Sequence, residues 1–177
     1  SPTDARYEPV TYINWRDAIV WCNAFSQKSG LSPVYCSDSG YTTPIKDSRD
    51  GGYGASINTT AGSVDTPYVN WDATGYRLPT AGEWQYAASY KDGSSWTSYE
   101  WASGSTALYT DLAATGLVAW YSRNAGGGTR PVGTKIPNAL GIFDMCGNVF
   151  QWCWDWGTTS NLPTGAQTDY RGDATGT

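Results

Sequence analysis

Only two stretches of this chain carry the spacing of an amphipathic helix, and each begins next to a residue that can cap it. From Trp15 to Lys28 the apolar side chains recur at intervals of three and four residues, and Asn14 precedes them. From Ala81 to Tyr90 a shorter apolar stripe follows Thr80, which forms a capping box with Glu83. So little helical pattern in 177 residues predicts that most of the backbone is irregular.

Short β-like pieces make up the rest of the regular structure that the sequence predicts. They are rich in β-branched and aromatic residues, lie between clusters of Gly, Ser, Thr and Asn, and occupy residues 9–13, 116–122, 130–135 and 148–154. The connections 37–72 and 91–116 show no regular pattern, which is uncommon unless such loops carry function or pack on their own aromatic side chains. We therefore predict one α+β domain over residues 1–177, with two helices, short mixed or antiparallel sheets and much irregular loop.

Composition explains how such loops can be ordered. Charged residues make up 15 % of the chain, aromatic residues another 15 %, and there are 21 glycines, so aromatic plates joined by glycine can fill a core. The net charge of -5 and the lack of any basic run argue against nucleic acid or an anionic membrane as partner. No apolar stretch approaches the length of a membrane span, so direct membrane insertion by this segment is not expected.

The chain contains no histidine, which excludes several kinds of active site. Ser-His-Asp and Cys-His catalysis need an imidazole base that this chain lacks. The four cysteines, Cys22, Cys36, Cys146 and Cys153, form no C-x-x-C pair and do not resemble a zinc site. They are either buried thiols or disulfide partners, and the sequence leaves both readings open.

Three blocks carry a family resemblance: "PVTYINWRDAIVWCNAFSQKSGLSPVY", "GYRLPTAGEWQYAA" and "AWYSRNAGGGTRPVGTKIPNALGIFDMCGNVFQWCWDW". In this order they resemble the formylglycine-generating, sulfatase-modifying enzyme family, from Pro9 to Trp156. The resemblance implies a C-type-lectin-like fold in the form that this family takes. It also implies that "GNVFQWCWDW" is a central strand, with Trp152 filling the core while Trp154 and Trp156 face a rim that could meet a ligand.

The resemblance does not extend to the family's catalytic cysteines. That pair belongs to a C-terminal block which this sequence does not show before it ends at "YRGDATGT", and none of the four cysteines matches it. We therefore expect no catalytic residues and a non-enzymatic protein that binds and displays a ligand on this scaffold. Two alternatives are a formylglycine-type oxidase acting on sulfatase cysteines and a carbohydrate-binding module.

The ligand-binding residues that we predict are aromatic plates with one hydrogen-bond acceptor: Trp120, Tyr121, Trp154, Asp155 and Trp156. Variable proteins diversified by retroelements use this form of the lectin fold, and Tyr, Trp, Ser, Gly and Asn are typical of adaptable binding surfaces. We expect a protein or glycan ligand and a location at the cell surface, or secreted or periplasmic. The Arg171-Gly172-Asp173 tripeptide is too short to indicate integrin binding and is expected to occur by chance.

Calcium is the one cofactor that the resemblance suggests. The implied ligands are the side chains of Asp144 and Gln151 and the carbonyls of Gly147 and Val149. Because the family usually has Glu where this chain has Gln151, one negative charge is lost and any calcium should bind weakly. The alternative is that Asp144 accepts hydrogen bonds from local backbone amides while Gln151 links loops.

Overall fold

The structure is a computed structural model that describes residues 5–49, 56–156 and 167–172. Its helices are α1 (Trp15–Lys28), α2 (Ala81–Ser89) and α3 (Leu112–Val118), and Ala5–Tyr7 forms one 3-10 turn. Its strands are β1 (Tyr35–Cys36) and β2 (Tyr68–Val69). The chain divides into two compact units: the α1 unit, Tyr12–Pro79, and the α2–α3 unit, Ser1–Thr11 with Thr80–Thr177.

Helix α1 has the bounds that its sequence pattern predicts. The Asn14 side chain accepts from the Asp17 amide at 2.9 Å, and the Asp17 carboxylate accepts from the Asn14 amide at 3.0 Å, which completes a capping box. The helix buries Ala18, Ile19 and Cys22 within the α1 unit. Its apolar stripe therefore faces a core, as an amphipathic helix requires.

A buried amide joins α1 to the sheet. Asn23 is 1 % exposed, and its Nδ2 donates to the carbonyls of Tyr35 at 2.7 Å and Ile45 at 2.9 Å. Its Oδ1 accepts from the amides of Val34 and Tyr35 at 3.2 and 3.1 Å. All four hydrogen-bonding positions of this amide are used, so its burial carries no penalty for an unpaired polar group.

The sheet is a short antiparallel pair. Tyr35 lies opposite Val69 and Cys36 opposite Tyr68. In the same unit the Arg16 guanidinium pairs with the largely buried Asp65 carboxylate, with Nη2 at 2.8 Å from Oδ2. The antiparallel sheet agrees with the predicted class, but the strands lie within the α1 unit at positions where no strand was predicted.

Helix α2 begins as predicted and ends one residue early. Thr80 accepts from the Glu83 amide at 3.2 Å and Glu83 accepts from the Thr80 amide at 2.8 Å, so the capping box is present. The helix stops at Ser89 because Tyr90 turns to extended backbone and pairs with Trp96. The predicted connection 91–116 also contains the start of α3, whose Asp111 cap accepts from two successive amides.

The four predicted β-like pieces are corrected by the structure, because none of them forms a strand. Residues 116–118 belong to α3. The predicted central strand around Val149 and Trp154 is replaced by one isolated parallel pairing between Trp120 and Gly147. After Gly147 the backbone folds back, with the Val149 amide donating to the Gly147 carbonyl at 2.8 Å, and a strand cannot continue through such a turn.

Trp152 was expected in the core, and this expectation is wrong. Its side chain is 47 % exposed, whereas Trp154 and Trp156 are partly buried. Without a strand at 148–154, the alternation that would turn Trp152 inward does not exist. A small core of the α2–α3 unit consists instead of Ala102, Val118 and Ala119, with Tyr121 and Cys146 packed against it.

Candidate functional site

Trp120 meets Gly147 at a contact between two backbones that leaves no space for a side chain. Gly147 has a φ of 79°, and a Cβ placed on it would lie 2.0 Å from the Trp120 carbonyl oxygen. That same oxygen accepts from the Asn148 amide at 2.7 Å. Glycine is required here both for its left-handed backbone and for the close approach.

Asn148 then takes the place of a neighbouring strand. Its Oδ1 accepts from the Arg130 amide and its Nδ2 donates to the Arg130 carbonyl, both at 2.9 Å. One side chain thus pairs with both backbone groups of one residue, as a strand would. The loop that carries Arg130 is thereby held beside the loop that carries Gly147.

Two cations lie over the Trp120 indole. The Lys135 ammonium is 3.7 Å from the ring centroid, and the Arg130 guanidinium carbon is 5.9 Å from it. The indole Nε1 donates to the Thr134 hydroxyl at 2.8 Å, which fixes the orientation of the ring. Lys135 also donates to the Gly116 carbonyl, and burial lowers the pKa of its ammonium.

Tyr121, the next predicted ligand-binding residue, belongs to the scaffold beside this ring. Its backbone amide donates to the Asn124 Oδ1 at 2.8 Å, and the Asn124 Nδ2 donates to the Ala119 carbonyl at 3.0 Å. The Tyr121 ring packs on the small core of the α2–α3 unit. Trp120 and Tyr121 are thus both half-buried, and their role as ligand-stacking plates stays a prediction.

Asp155 is held at the start of α2. Its Oδ1 accepts from the Ala81 amide at 2.6 Å, where a carboxylate also interacts favourably with the helix dipole. Gly172 lies so close that a Cβ on it would be 2.0 Å from the Asp155 Cβ. Burial, together with the Asp155 charge, raises the pKa of the neighbouring Cys153 thiol. Asp173, the last residue of the Arg-Gly-Asp tripeptide, lies outside the described residues.

Gln151 makes two hydrogen bonds where the resemblance implies a calcium ligand. Its Oε1 accepts from the Trp84 indole at 2.8 Å, and its Nε2 donates to the Asp144 carbonyl at 2.6 Å. The indole can only donate and the carbonyl can only accept, so these partners fix which end of the amide carries oxygen. The amide oxygen is committed to Trp84, and in this arrangement it does not fit a role as a metal ligand.

Asp144 fits such a role in part. Its Oδ2 accepts from the Gly133 amide at 2.7 Å, whereas its Oδ1 is buried and has no hydrogen-bond partner among the described residues. The described chain contains no group of three or more acidic or cysteine side chains arranged to hold a metal ion. Weak calcium binding at Asp144, Gly147, Val149 and Gln151 therefore stays a prediction.

The four cysteines are free thiols in different surroundings. Cys22 and Cys36 are buried in the α1 unit, and Cys146 and Cys153 are partly buried in the α2–α3 unit. Burial raises the pKa of Cys22 to about 11 and also raises the pKa of Cys36. The reading of these cysteines as buried thiols rather than disulfide partners agrees with this arrangement.

Sequence reasoning missed Arg130, Lys135 and Asn148. A signal for the cations was present, because the sequence from Leu112 to Phe143 contains no Asp or Glu although the chain as a whole is acidic. Asn148 gave no comparable signal, because its two bonds reach a loop that is distant in the sequence.

The capped helices, the short antiparallel sheet and the loop-built core define a C-type-lectin-like fold of the formylglycine-generating enzyme type. Residues 2–175 match the sulfatase-modifying factor enzyme 1-like domain, and the chain belongs to that family. The chain is similar to variable protein 1 of Treponema denticola, with a TM-score of 0.70 and 35 % identity, over 96 % of this chain and 57 % of that one.

The chain is also similar in sequence to a protein named a chaperone and to a protein named an enzyme. The chaperone protein LppX of Paenibacillus barcinonensis is 35 % identical over 88 % of this chain and 54 % of its own length. The formylglycine-generating enzyme of Mycobacterium tuberculosis is 37 % identical over 54 % of this chain and 30 % of its own length. This chain thus spans about half the length, or less, of these relatives. Within the described residues, no helix has the length and apolar character needed to cross a membrane.

Proposed function

We propose that this protein is a non-enzymatic binding protein that takes a polypeptide ligand on a formylglycine-generating-enzyme-type scaffold outside the cytoplasm. The observation that carries the proposal is the number of large apolar side chains at the surface of the α2–α3 unit. Leu117, Ile136 and Trp152 are 57 %, 54 % and 47 % exposed. Leu117 and Ile136 lie on adjacent backbones, and neighbouring apolar side chains at the surface of a folded domain mark a place where another molecule binds.

A buried amide orders the loop that presents two further exposed apolar residues, Leu140 and Ile142. Asn138 is buried, and its Oδ1 accepts from the amides of Leu140 and Ile142 at 3.0 Å each. Its Nδ2 donates to the Ala87 carbonyl of α2 at 2.8 Å. Leu140 and Ile142 are therefore held at the surface by a buried amide, and a surface ordered in advance costs little entropy when it binds.

The sequence relatives of this chain also support the proposal. The relative that aligns with 88 % of this chain is named a chaperone protein, and a chaperone takes polypeptide ligands. The relatives named formylglycine-generating enzymes include one that aligns with 54 % of this chain, so the oxidase is the alternative. A glycan ligand has less support, because the Trp120 ring carries Lys135 on its face and is half-buried.

The test is binding of a permanently unfolded polypeptide. Reduced, carboxymethylated α-lactalbumin, labelled with a fluorophore, is titrated with the protein, and native α-lactalbumin serves as the matched folded control. We expect saturable binding of the unfolded form alone, and no binding on a glycan array. Binding of neither form, or formation of formylglycine in a sulfatase peptide, contradicts the proposal. Recovery of the protein in the cytoplasmic fraction of its host contradicts the proposed location.

A further inference from the structure

Resting on the proposed function, we propose that one surface of the α2–α3 unit binds polypeptide segments that combine aliphatic and acidic side chains. We call this surface the Trp120 face and define it by Leu117, Trp120, Arg130, Lys135 and Ile136. It offers two exposed aliphatic side chains next to two cations that have no carboxylate partner within the described chain.

The aliphatic half of the face has a fixed geometry. The Ile136 amide donates to the Leu117 carbonyl at 3.0 Å, so the two residues lie side by side on adjacent backbones. Lys135 reinforces the same junction by donating to the Gly116 carbonyl. Leu117 and Ile136 are each more than half exposed, so neighbouring aliphatic side chains provide an apolar contact for a partner's leucine or isoleucine.

The cationic half of the face is an exception in an acidic protein. The sequence from Leu112 to Phe143 contains Arg123, Arg130 and Lys135 but no Asp or Glu, although the net charge of the chain is -5. The described ion pairs, Arg16 with Asp65 and Arg49 with Asp47, all lie in the α1 unit.

Three carboxylates lie near this stretch, and each accepts a hydrogen bond from another group. Asp111 caps α3, one oxygen of Asp144 accepts from the Gly133 amide, and Glu8 accepts from the Thr129 hydroxyl. Arg130 also has a buried Nε without a hydrogen-bond partner among the described residues. Cations that are partly desolvated and have no carboxylate partner among the described residues gain more from an incoming carboxylate than solvated cations do.

Both cations are positioned before any ligand arrives. The Arg130 guanidinium packs so closely on Gly126 that a Cβ there would lie 2.6 Å from its Nη2. The Lys135 ammonium lies on the Trp120 ring, whose indole nitrogen is tied to Thr134. A partner carboxylate therefore meets cations whose freedom is already restricted, which lowers the entropy lost on binding.

These features favour an acidic and aliphatic peptide over a sugar or a small anion. Lys135 lies over the Trp120 ring, so a pyranose cannot stack on that face of the indole. A small anion would use the cations but leave Leu117 and Ile136 exposed. An acidic peptide would be repelled by the net charge of the chain and attracted at this face, and that contrast gives specificity.

The experiment compares three fluorescein-labelled peptides of equal length by anisotropy. Each alternates Leu or Ile with a second residue, which is Asp or Glu in the acidic peptide, Asn or Gln in the neutral one, and Lys or Arg in the basic one. We expect the acidic peptide to bind at least about tenfold more tightly than the neutral one, which corresponds to one charge-assisted hydrogen bond. We expect no saturation with the basic peptide.

Variants of the chain then locate the binding site. Lys135→Gln and Arg130→Gln should each weaken the acidic peptide about tenfold, because each removes one cation from the face. Arg123→Gln is the matched control, because Arg123 is an exposed cation of the same stretch and the charge change is identical.

Leu117→Ser and Ile136→Ser change only exposed side chains, so they test the face even if a cation variant does not fold. Leu108→Ser is their exposed control.

Each outcome decides between stated alternatives. If Arg123→Gln and Lys135→Gln weaken binding of the acidic peptide equally, net charge explains the binding and the Trp120 face is not the binding site. Displacement of the acidic peptide by glucuronate or phosphate at comparable concentration would identify a small-anion site instead. Self-association in sedimentation that Leu117→Ser abolishes would make a second copy the occupant. If all variants still bind unfolded α-lactalbumin as before, the face is wrong and the proposed function stands; if no polypeptide binds the unaltered chain, both fail.

Discussion

A single missing Cβ determines whether the Trp120 and Gly147 loops can meet. Gly147→Ala should lower the free energy of unfolding by at least about 2 kcal/mol, because it combines a left-handed backbone with a steric clash against the Trp120 carbonyl. Gly127→Ala is the matched control, since Gly127 has a φ of +84° but no atom within 4 Å of its ideal Cβ. Urea denaturation compares the two. Equal losses would mean that backbone conformation alone matters.

Gln151 shows why a motif match does not determine what its residues do. The match placed Gln151 correctly near Asp144, but its second partner, Trp84, comes from a different family block. Hydrogen bonds between distant segments depend on the folded arrangement of both, and nothing local in the sequence encodes them. The same holds for Trp152, whose exposure follows from a backbone turn five residues earlier.

Replacing Gln151 by glutamate should make the stability of the protein depend on calcium. Gln151→Glu removes the donor to the Asp144 carbonyl, and this hydrogen bond is exposed, so in EDTA the variant should lose about 0.5 to 1.5 kcal/mol of unfolding free energy. A second carboxylate near Asp144 should bind calcium, which then raises the melting temperature by mass action. Calorimetry of the variant, the unaltered chain and the exposed control Gln85→Glu tests this. If the melting temperature of the unaltered chain already depends strongly on calcium, the prediction is wrong.

The buried thiol of Cys22 predicts a loss of stability at alkaline pH. Its pKa is raised from 9.0 to about 11 in the folded state because burial disfavours the thiolate. Below about pH 9 the thiol is protonated in both the folded and the unfolded state, and the stabilisation is complete. Between about pH 9 and pH 11 only the unfolded state releases the proton, so the free energy of unfolding falls. Urea unfolding over this range should show a steeper decline for the unaltered chain than for Cys22→Ala. Parallel curves would show that the thiol does not contribute.

At the scale of the elements, the capped helices were predictable and the strands were not. Asn14 and Thr80 each have a reciprocal partner three residues later, so the signal is local and the structure contains both boxes. Helix α3 was missed because it has only seven residues and includes Gly116, too short and too weak a pattern for periodicity to detect. The strands have two residues each, and their pairing joins distant parts of the sequence.

The link between α1 and β1 should depend on one buried amide. Asn23→Ala would leave backbone groups of Val34, Tyr35 and Ile45 without their partner, so we expect a loss of at least about 3 kcal/mol in unfolding free energy. Asn70→Ala is a milder control, since among the described residues the Asn70 side chain accepts from the Asp72 amide alone, at 3.2 Å. Denaturation in urea measures both. A loss below about 1 kcal/mol for Asn23→Ala would mean that water replaces the lost bonds.

For the whole molecule, the ordered blocks indicated the family and the fold class, since such blocks reflect the entire core rather than one element. The sequence did not predict the cations of the proposed binding surface. The predicted plates Trp120 and Tyr121 lie beside Arg130 and Lys135, yet the cations are brought to the indole by loop geometry that no period or spacing encodes. Sequence therefore indicates the scaffold better than the surface that the scaffold presents.

The thiols of this chain do not favour the oxidase chemistry that the family name suggests. The family resemblance implies oxidation of a substrate cysteine by a pair of enzyme thiols, and a thiol must ionise to attack or to bind copper. Burial raises the pKa of Cys22, Cys36 and Cys153 in this chain, so at neutral pH these side chains stay protonated. We expect no aldehyde in a cysteine-bearing sulfatase peptide incubated with this chain, with or without copper, as measured by mass spectrometry. The Mycobacterium tuberculosis relative serves as positive control. Aldehyde that disappears in Cys146→Ser or Cys153→Ser would show that the chain is an oxidase.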